Sequence, residues 1–131
     1  MVEFVGIKVF YKNKNGELFV LKEDRQEFND GRKRRRNMMT SVSEKMKSGE
    51  SPLVAGIRGI KEELGIDVRL SQLTNKKDIQ FNGGSLSYPG LKTKYKGHQF
   101  ICYLTEQQYN QNGYIEIQKT KKTYFNWVKI D

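Results

Sequence analysis

The residues from Ser48 to Ile66, SGESPLVAGIRGIKEELGI, constrain the fold more than any other stretch, because both ends of a helix are written into them. Ser51 is a good N-cap, and Pro52 falls at the first helical position, where a missing N–H costs nothing. Gly65 can close the helix in the left-handed conformation that other residues avoid. Between these ends Val54, Ile57, Ile60 and Leu64 recur at helical spacing. The spacing predicts one short amphipathic helix buried along that stripe.

The other face of this helix carries acids. Glu62 and Glu63 are adjacent, so about 100° of helical turn separates them and both can lean toward one point beside the helix. Two such carboxylates form a hard-oxygen site suited to Mg²⁺ or Mn²⁺. Arg58 lies one turn before Glu62 and can pair with it, or with Glu50 at the helix entrance. A Glu-Glu pair is also what an ordinary solvated helix face looks like, so the pair alone does not define a site.

The flanking chain reads as a layered α/β protein. Glu3 to Tyr11 and Glu17 to Leu21 are predicted strands joined at Asn15-Gly16, and apolar residues on both sides of the first imply a sheet covered on both faces. Lys22 to Asn37 has no apolar period, a turn at Asp30-Gly31, and five consecutive basic residues from Arg32 to Arg36, and it reads as a loop. Met38 to Ser43 and Asp67 to Leu73 are predicted strands on either side of the helix. Asn82-Gly83-Gly84 and Tyr88-Pro89-Gly90 read as turns. Thr93 to Thr105 alternates best, with His98, Phe100, Cys102 and Leu104 on one face. Tyr114 to Lys119 and Thr123 to Ile130 form a last strand pair.

Composition narrows the function classes. The 131 residues suffice for one domain, residues 1–131, with a modest core. No apolar run approaches the roughly 20 residues that span a bilayer, so no membrane role is expected. A single cysteine, Cys102, cannot form an internal disulfide and fits a reducing compartment, cytoplasmic or nuclear. One His and one Cys leave no zinc set of the usual kind. The net charge of +9 favours polyanionic partners such as nucleotides, RNA or another acidic surface.

The order Glu50, seven residues, Arg58, then Ile60, Glu62, Glu63, Gly65 and Ile66 resembles the Nudix box. That signature runs Gly, five residues, Glu, seven residues, Arg-Glu-aliphatic-any-Glu-Glu-any-Gly-aliphatic. Seven positions match, and two depart: Glu44 stands at the first Gly, and Gly59 stands at the Glu after Arg. In the family that Glu often serves as a metal ligand or as the base for the attacking water. A glycine mid-helix also costs up to about 1 kcal/mol relative to Ala, so close packing, room for a ligand, or loss of a dispensable site would each account for it.

The resemblance implies an α/β/α sandwich around a mixed sheet, although the usual helix after the Trp127 strand is absent or truncated. It therefore also implies an excised domain, or a partner or second copy covering that face. It implies a pyrophosphohydrolase of a nucleoside-diphosphate-linked substrate. Glu62 and Glu63 would hold Mg²⁺ or Mn²⁺, with the main chain at Ser43 as a further ligand, and Arg58 with Glu50 would brace the helix. Arg34, Arg35, Arg36 and Lys45 are the candidates for gripping phosphate. Glu116, or the more distant Glu106, would supply an extra acid, although its place between Ile115 and Ile117 also fits a solvent-facing strand residue. His98 could contact substrate or be structural. The alternative is a module without catalysis that binds RNA or a nucleotide through its basic surface, or a pure interaction domain.

Overall fold

The computed structural model describes residues 2–76, 79–84 and 92–130; the Tyr88-Pro89-Gly90 turn lies outside them. Strands β1 (Val2–Lys12) and β2 (Leu18–Phe28) form the first hairpin. Asn13 Oδ1 accepts from the N–H groups of Asn15 and Glu17, and Gly16 takes a φ of 82°. The two strands pair only at Phe10–Lys12 with Leu18–Val20, then separate. Beyond that point β4 (Val42–Lys45) pairs with β1 at Phe4–Ile7, while β7 (Lys92–Tyr103) runs parallel to β1 along its other edge. Ser41 fills the split. Its N–H donates to the Ile7 carbonyl at 2.9 Å, and its hydroxyl accepts from the Val9 N–H at 2.9 Å and donates to the Leu21 carbonyl.

The remaining strands are β3 (Lys33–Arg34), β5 (Leu73–Asn75), β6 (Ile79–Gly84), β8 (Tyr114–Ile117) and β9 (Lys121–Ile130). The sheet runs β5-β7-β1-β2-β9-β8, with β3 on β2, β4 on β1 and β6 on β7. It is mixed because β1 and β7 are parallel and the other pairs antiparallel. One α-helix, α1 (Pro52–Leu64), packs on one face. The α/β architecture matches the expectation, but the second helical layer of a sandwich is not present among the described residues. Tyr103 and Val128, on the face away from α1, are exposed. The helix is too short to cross a membrane, and no other among the described residues does so.

Both helix ends form as the sequence dictates. Ser51 Oγ accepts from the Val54 N–H at 3.3 Å, and Gly65 caps the C-terminus at φ 72° while its N–H donates to the Lys61 carbonyl. The buried stripe is Ala55, Gly56, Gly59, Ile60 and Leu64, and Val54 is 52% exposed, so the expected stripe is corrected by a rotation. The reason is close approach. A Cβ on Gly56 would lie 3.1 Å from Leu73 Cδ2, and one on Gly59 would lie 3.1 Å from Glu44 Cβ. Two glycines let the helix sit down on the sheet along a line that apolar periodicity does not mark.

Four further expectations are corrected. Lys22 to Phe28 is strand, not loop, because a bulge between Glu23 and Arg25 breaks the alternation and because its inward residues are polar. The strand expected at Met38–Ser43 lies at Val42–Lys45, which puts Glu44 inside it. Asp67 to Leu73 is irregular chain and a 3₁₀ turn (Leu70–Gln72), with the strand following. Asn82 to Gly84 belongs to β6 rather than to a turn.

The core joins Val5, Ile7 and Val9 of β1 with Leu21, Val42, Ile60, Phe100, Cys102 and Phe125. Cys102 is fully buried, and burial pushes its thiol up to about 11, as expected of a structural cysteine. The left-handed cap gives a direct test. Gly65→Ala should lower the unfolding free energy by about 1–2 kcal/mol, and Gly65→Asn should lose less because Asn tolerates that conformation. Urea denaturation reads both; equal losses would show that the cap conformation is not the cause.

Candidate functional site

An acidic cleft of about 320 Å³ opens where β2 has parted from β1. Glu62 and Glu63 enter it from α1, Ser43 and Glu44 from β4, Glu116 from β8, Glu23 and Gln26 from β2, and Lys121 and Thr123 from β9. Arg36 comes from the segment after β3. The bulge in β2 explains how Leu21, Glu23 and Gln26 all face inward although their spacing is irregular. Glu116 also faces inward, while Ile115 and Ile117 are 53% and 74% exposed. The solvent-facing reading of Glu116 is therefore corrected.

Arg58 anchors the helix beneath this cleft. Its Nε and Nη2 donate to the two oxygens of Glu50 at 2.9 and 3.0 Å, and Nη2 also donates to the Lys45 carbonyl at 3.0 Å. Glu50 in turn accepts from the Lys47 N–H. The Arg58 guanidinium and that N–H hold the Glu50 carboxyl down to about 2. Glu62 and Glu44 lie farther from the same guanidinium, at 3.3 and 3.6 Å. The expected brace is present, and Arg58 pairs with Glu50 first and Glu62 second.

The cleft acids are perturbed because they share a poorly hydrated space. Burial, reinforced by Glu116, Glu44 and Glu23, pushes the Glu63 carboxyl up to about 9. Burial and a hydrogen bond to Glu62 push Glu44 up to about 7, while that hydrogen bond holds Glu62 below its ordinary value. Burial also raises Glu116, with Lys121 opposing it. Among the described residues no three acids stand close enough to ligate one ion as a preformed cage. The donors nevertheless fit Mg²⁺ or Mn²⁺ by chemistry: they are hard oxygens, under-neutralised, and facing one volume.

The basic residues are distributed differently from the expectation. Arg36 lines the cleft and donates from Nε to Glu23 at 2.9 Å, and the Glu23 side chain is only 4% exposed. Arg34 reaches the cleft wall through Gln26, whose amide donates to Thr123 Oγ1. Arg35 is held outside by Asp24 at 3.1 Å and is 71% exposed. Lys45 does not line the cleft; its carbonyl serves Arg58. Glu106 is exposed and lies 3.9 Å from Lys14, away from the site. His98 is buried with Nε2 2.7 Å from Glu3 and does not line the cleft.

Sequence reasoning did not single out Glu23, Gln26, Lys121 or Thr123, and it read Glu44 only as a departure from a pattern. The overlooked signal is the run of polar residues between Leu21 and Phe28 opposite the alternating β9.

No family model matches the chain, and no curated protein sequence matches it. Solved structures do. A MutT/nudix family protein from Enterococcus faecalis superposes with a TM-score of 0.63 at 14% identity, over 98% of this chain and 43% of that one. The NUDIX domain of Shewanella oneidensis NrtR, complexed with ADP ribose, gives 0.56 at 11% identity, over 97% and 71%. The E. coli dihydroneopterin triphosphate pyrophosphohydrolase gives 0.52 at 18% identity, over 96% and 79%. The chain thus has the Nudix fold, and it spans less than half the length of the Enterococcus protein.

The cleft acids link stability to pH. Glu63 binds a proton in the folded state between its ordinary value of 4.5 and about 9, and the unfolded chain does not. Its contribution is therefore fully present below pH 4.5 and is lost as pH rises toward 9. In a chelator, the melting temperature should fall from pH 5 to pH 9, and Glu63→Gln should remove much of the fall, leaving the variant more stable than wild type at pH 8 by about 1 kcal/mol or more. A wild-type stability that is flat over this range would contradict the assignment.

Proposed function

We propose that the chain is a Nudix-type pyrophosphohydrolase acting on a nucleotide or another diphosphate-linked small molecule, with Mg²⁺ or Mn²⁺ as cofactor. The observation that carries this reading is the convergence of Glu44, Glu62, Glu63 and Glu116 on one cleft in which burial raises the Glu63 carboxyl to about 9. Four acids gathered without matching cations cost stability, and catalytic sites are where such arrangements are kept. The Nudix fold, shared with the E. coli dihydroneopterin triphosphate pyrophosphohydrolase, supports the reaction class.

Glu62 and Glu63 are the ligands proposed for the ion, with the Ser43 main chain as a further donor. Two carboxylates suffice for Mg²⁺, which usually keeps several waters and takes only one or two carboxylates together with substrate phosphates. When bound, the ion would polarise phosphate oxygens and activate water.

The remaining roles fall to side chains. Arg58 and Glu50 fix the helix so that Glu62 and Glu63 keep their aim. Arg36 and Lys121 supply positive charge at the cleft wall, where an incoming diphosphate can exchange places with Glu23 as the partner of Arg36. Glu116, whose carboxyl burial raises, and Glu63, once a bound cation has ionised it, are the candidates for accepting the proton from the attacking water. The +9 charge draws the anionic substrate toward a cleft that is itself acidic.

A Mg²⁺- or Mn²⁺-dependent phosphate-release screen over ADP-ribose, dinucleoside polyphosphates and capped RNA tests this. Turnover should appear with at least one diphosphate and should fall about 10²–10⁴-fold in Glu63→Gln. Arg36→Ala should raise KM more than it lowers kcat. No turnover on any diphosphate, together with RNA binding that ignores Mg²⁺ and falls steeply with salt, would favour the binding module instead.

A further inference from the structure

Glu44 and Gly59 meet across the seam between β4 and α1. A Cβ built at position 59 would lie 3.1 Å from Glu44 Cβ, 3.3 Å from Val42 Cγ1 and 3.4 Å from Glu44 Cγ. The seam accepts a side chain at 59 beside the Glu44 stem only if it opens by a few tenths of an ångström. Position 59 lies one turn before Glu62 and Glu63 on the same helix, so a carboxylate there would be aimed where theirs are. Glu44 reaches that cleft from the opposite wall.

Each residue carries a cost where it stands. A mid-helix glycine costs up to about 1 kcal/mol relative to Ala. A carboxylate in a helix–strand seam loses hydration. Glu44 is not needed to neutralise Arg58, which already has both oxygens of Glu50 at 2.9 and 3.0 Å, while Glu44 stands 3.6 Å away. The two departures from the Nudix pattern are also reciprocal, an acid at the glycine position and a glycine at the acid position.

We propose that Glu44 and Gly59 are a matched exchange: Glu44 delivers from β4 the carboxylate that α1 lacks at 59 and joins Glu62 and Glu63 as a ligand once a cation draws the three together, and Gly59 is bare because the Glu44 stem crowds its side-chain volume. This rests on the metal-dependent reading above. Gly59 is then a steric requirement of a relocated ligand rather than the mark of a dead site.

Mn²⁺ binding to the full chain, measured by calorimetry and by the electron paramagnetic resonance of free Mn²⁺, tests the exchange, with thermal melts as a control for folding. Glu44→Gln, nearly isosteric, should weaken Mn²⁺ about tenfold or more, equivalent to about 1.4 kcal/mol, without lowering the melting temperature in chelator. Glu44→Gly should lose binding likewise, and adding Gly59→Glu should bring it back to near wild type. If Glu44→Gln binds as wild type does while Glu63→Gln does not, the exchange is wrong and the metal site stands. If wild type binds no Mn²⁺, both are wrong. A folded double variant that binds no better than Glu44→Gly also overturns the exchange, and if the double variant does not fold, Glu44→Gln decides alone.

Discussion

The pairing of Arg58 with Glu50 sets the terms for everything around it. Both oxygens of Glu50 and the Lys45 carbonyl take up the guanidinium, so the nearest strong cation is committed before the cleft acids reach it. Glu44 and Glu62 are left with its outer edge, and Glu63 and Glu116 are left with partial compensation from Arg36 and Lys121. A cleft built this way holds protons when no other cation is present, because burial is the largest influence on Glu44, Glu63 and Glu116. The same pairing fixes the entrance of α1, so charge and geometry have one origin.

The sheet supplies the volume. β1 pairs with β4 over Phe4–Ile7 and with β2 only from Phe10 onward, and Ser41 closes the resulting split with three hydrogen bonds. The bulge in β2 then turns Glu23 and Gln26 to the same side as Leu21. Larger hollows of about 440 and 460 Å³ lie on the face away from α1, lined by residues such as Phe10 and Thr40. They carry Lys8 but no carboxylate, and so they lack the groups that could bind a cation or accept a proton.

What was legible in the sequence was local. Ser51, Pro52 and Gly65 specify the helix because caps act over one turn, and the spacing of Glu50, Arg58, Glu62 and Glu63 places a brace and a pair of acids on it. The strand at Lys92–Tyr103 announced itself by alternation. What escaped was set by contacts distant along the chain. Polar inward residues at Glu23 and Gln26 look like loop until β9 is beside them, and a bulge shifts their phase. Glycine at 59 looks like loss until Glu44 is seen against it. The basic run from Arg32 to Arg36 is continuous in the sequence, but strand pairing distributes it, sending Arg36 into the cleft and Arg35 to Asp24 outside.

The central claim is that the cleft stores an uncompensated carboxyl which a divalent ion ionises. Carboxyl ¹³C NMR of Glu63, titrated in chelator and again in Mg²⁺, reads this directly. The account predicts a midpoint far above the ordinary 4.5 in chelator, near 9, that drops below neutrality once Mg²⁺ is present. A midpoint close to 4.5 in both conditions would contradict it.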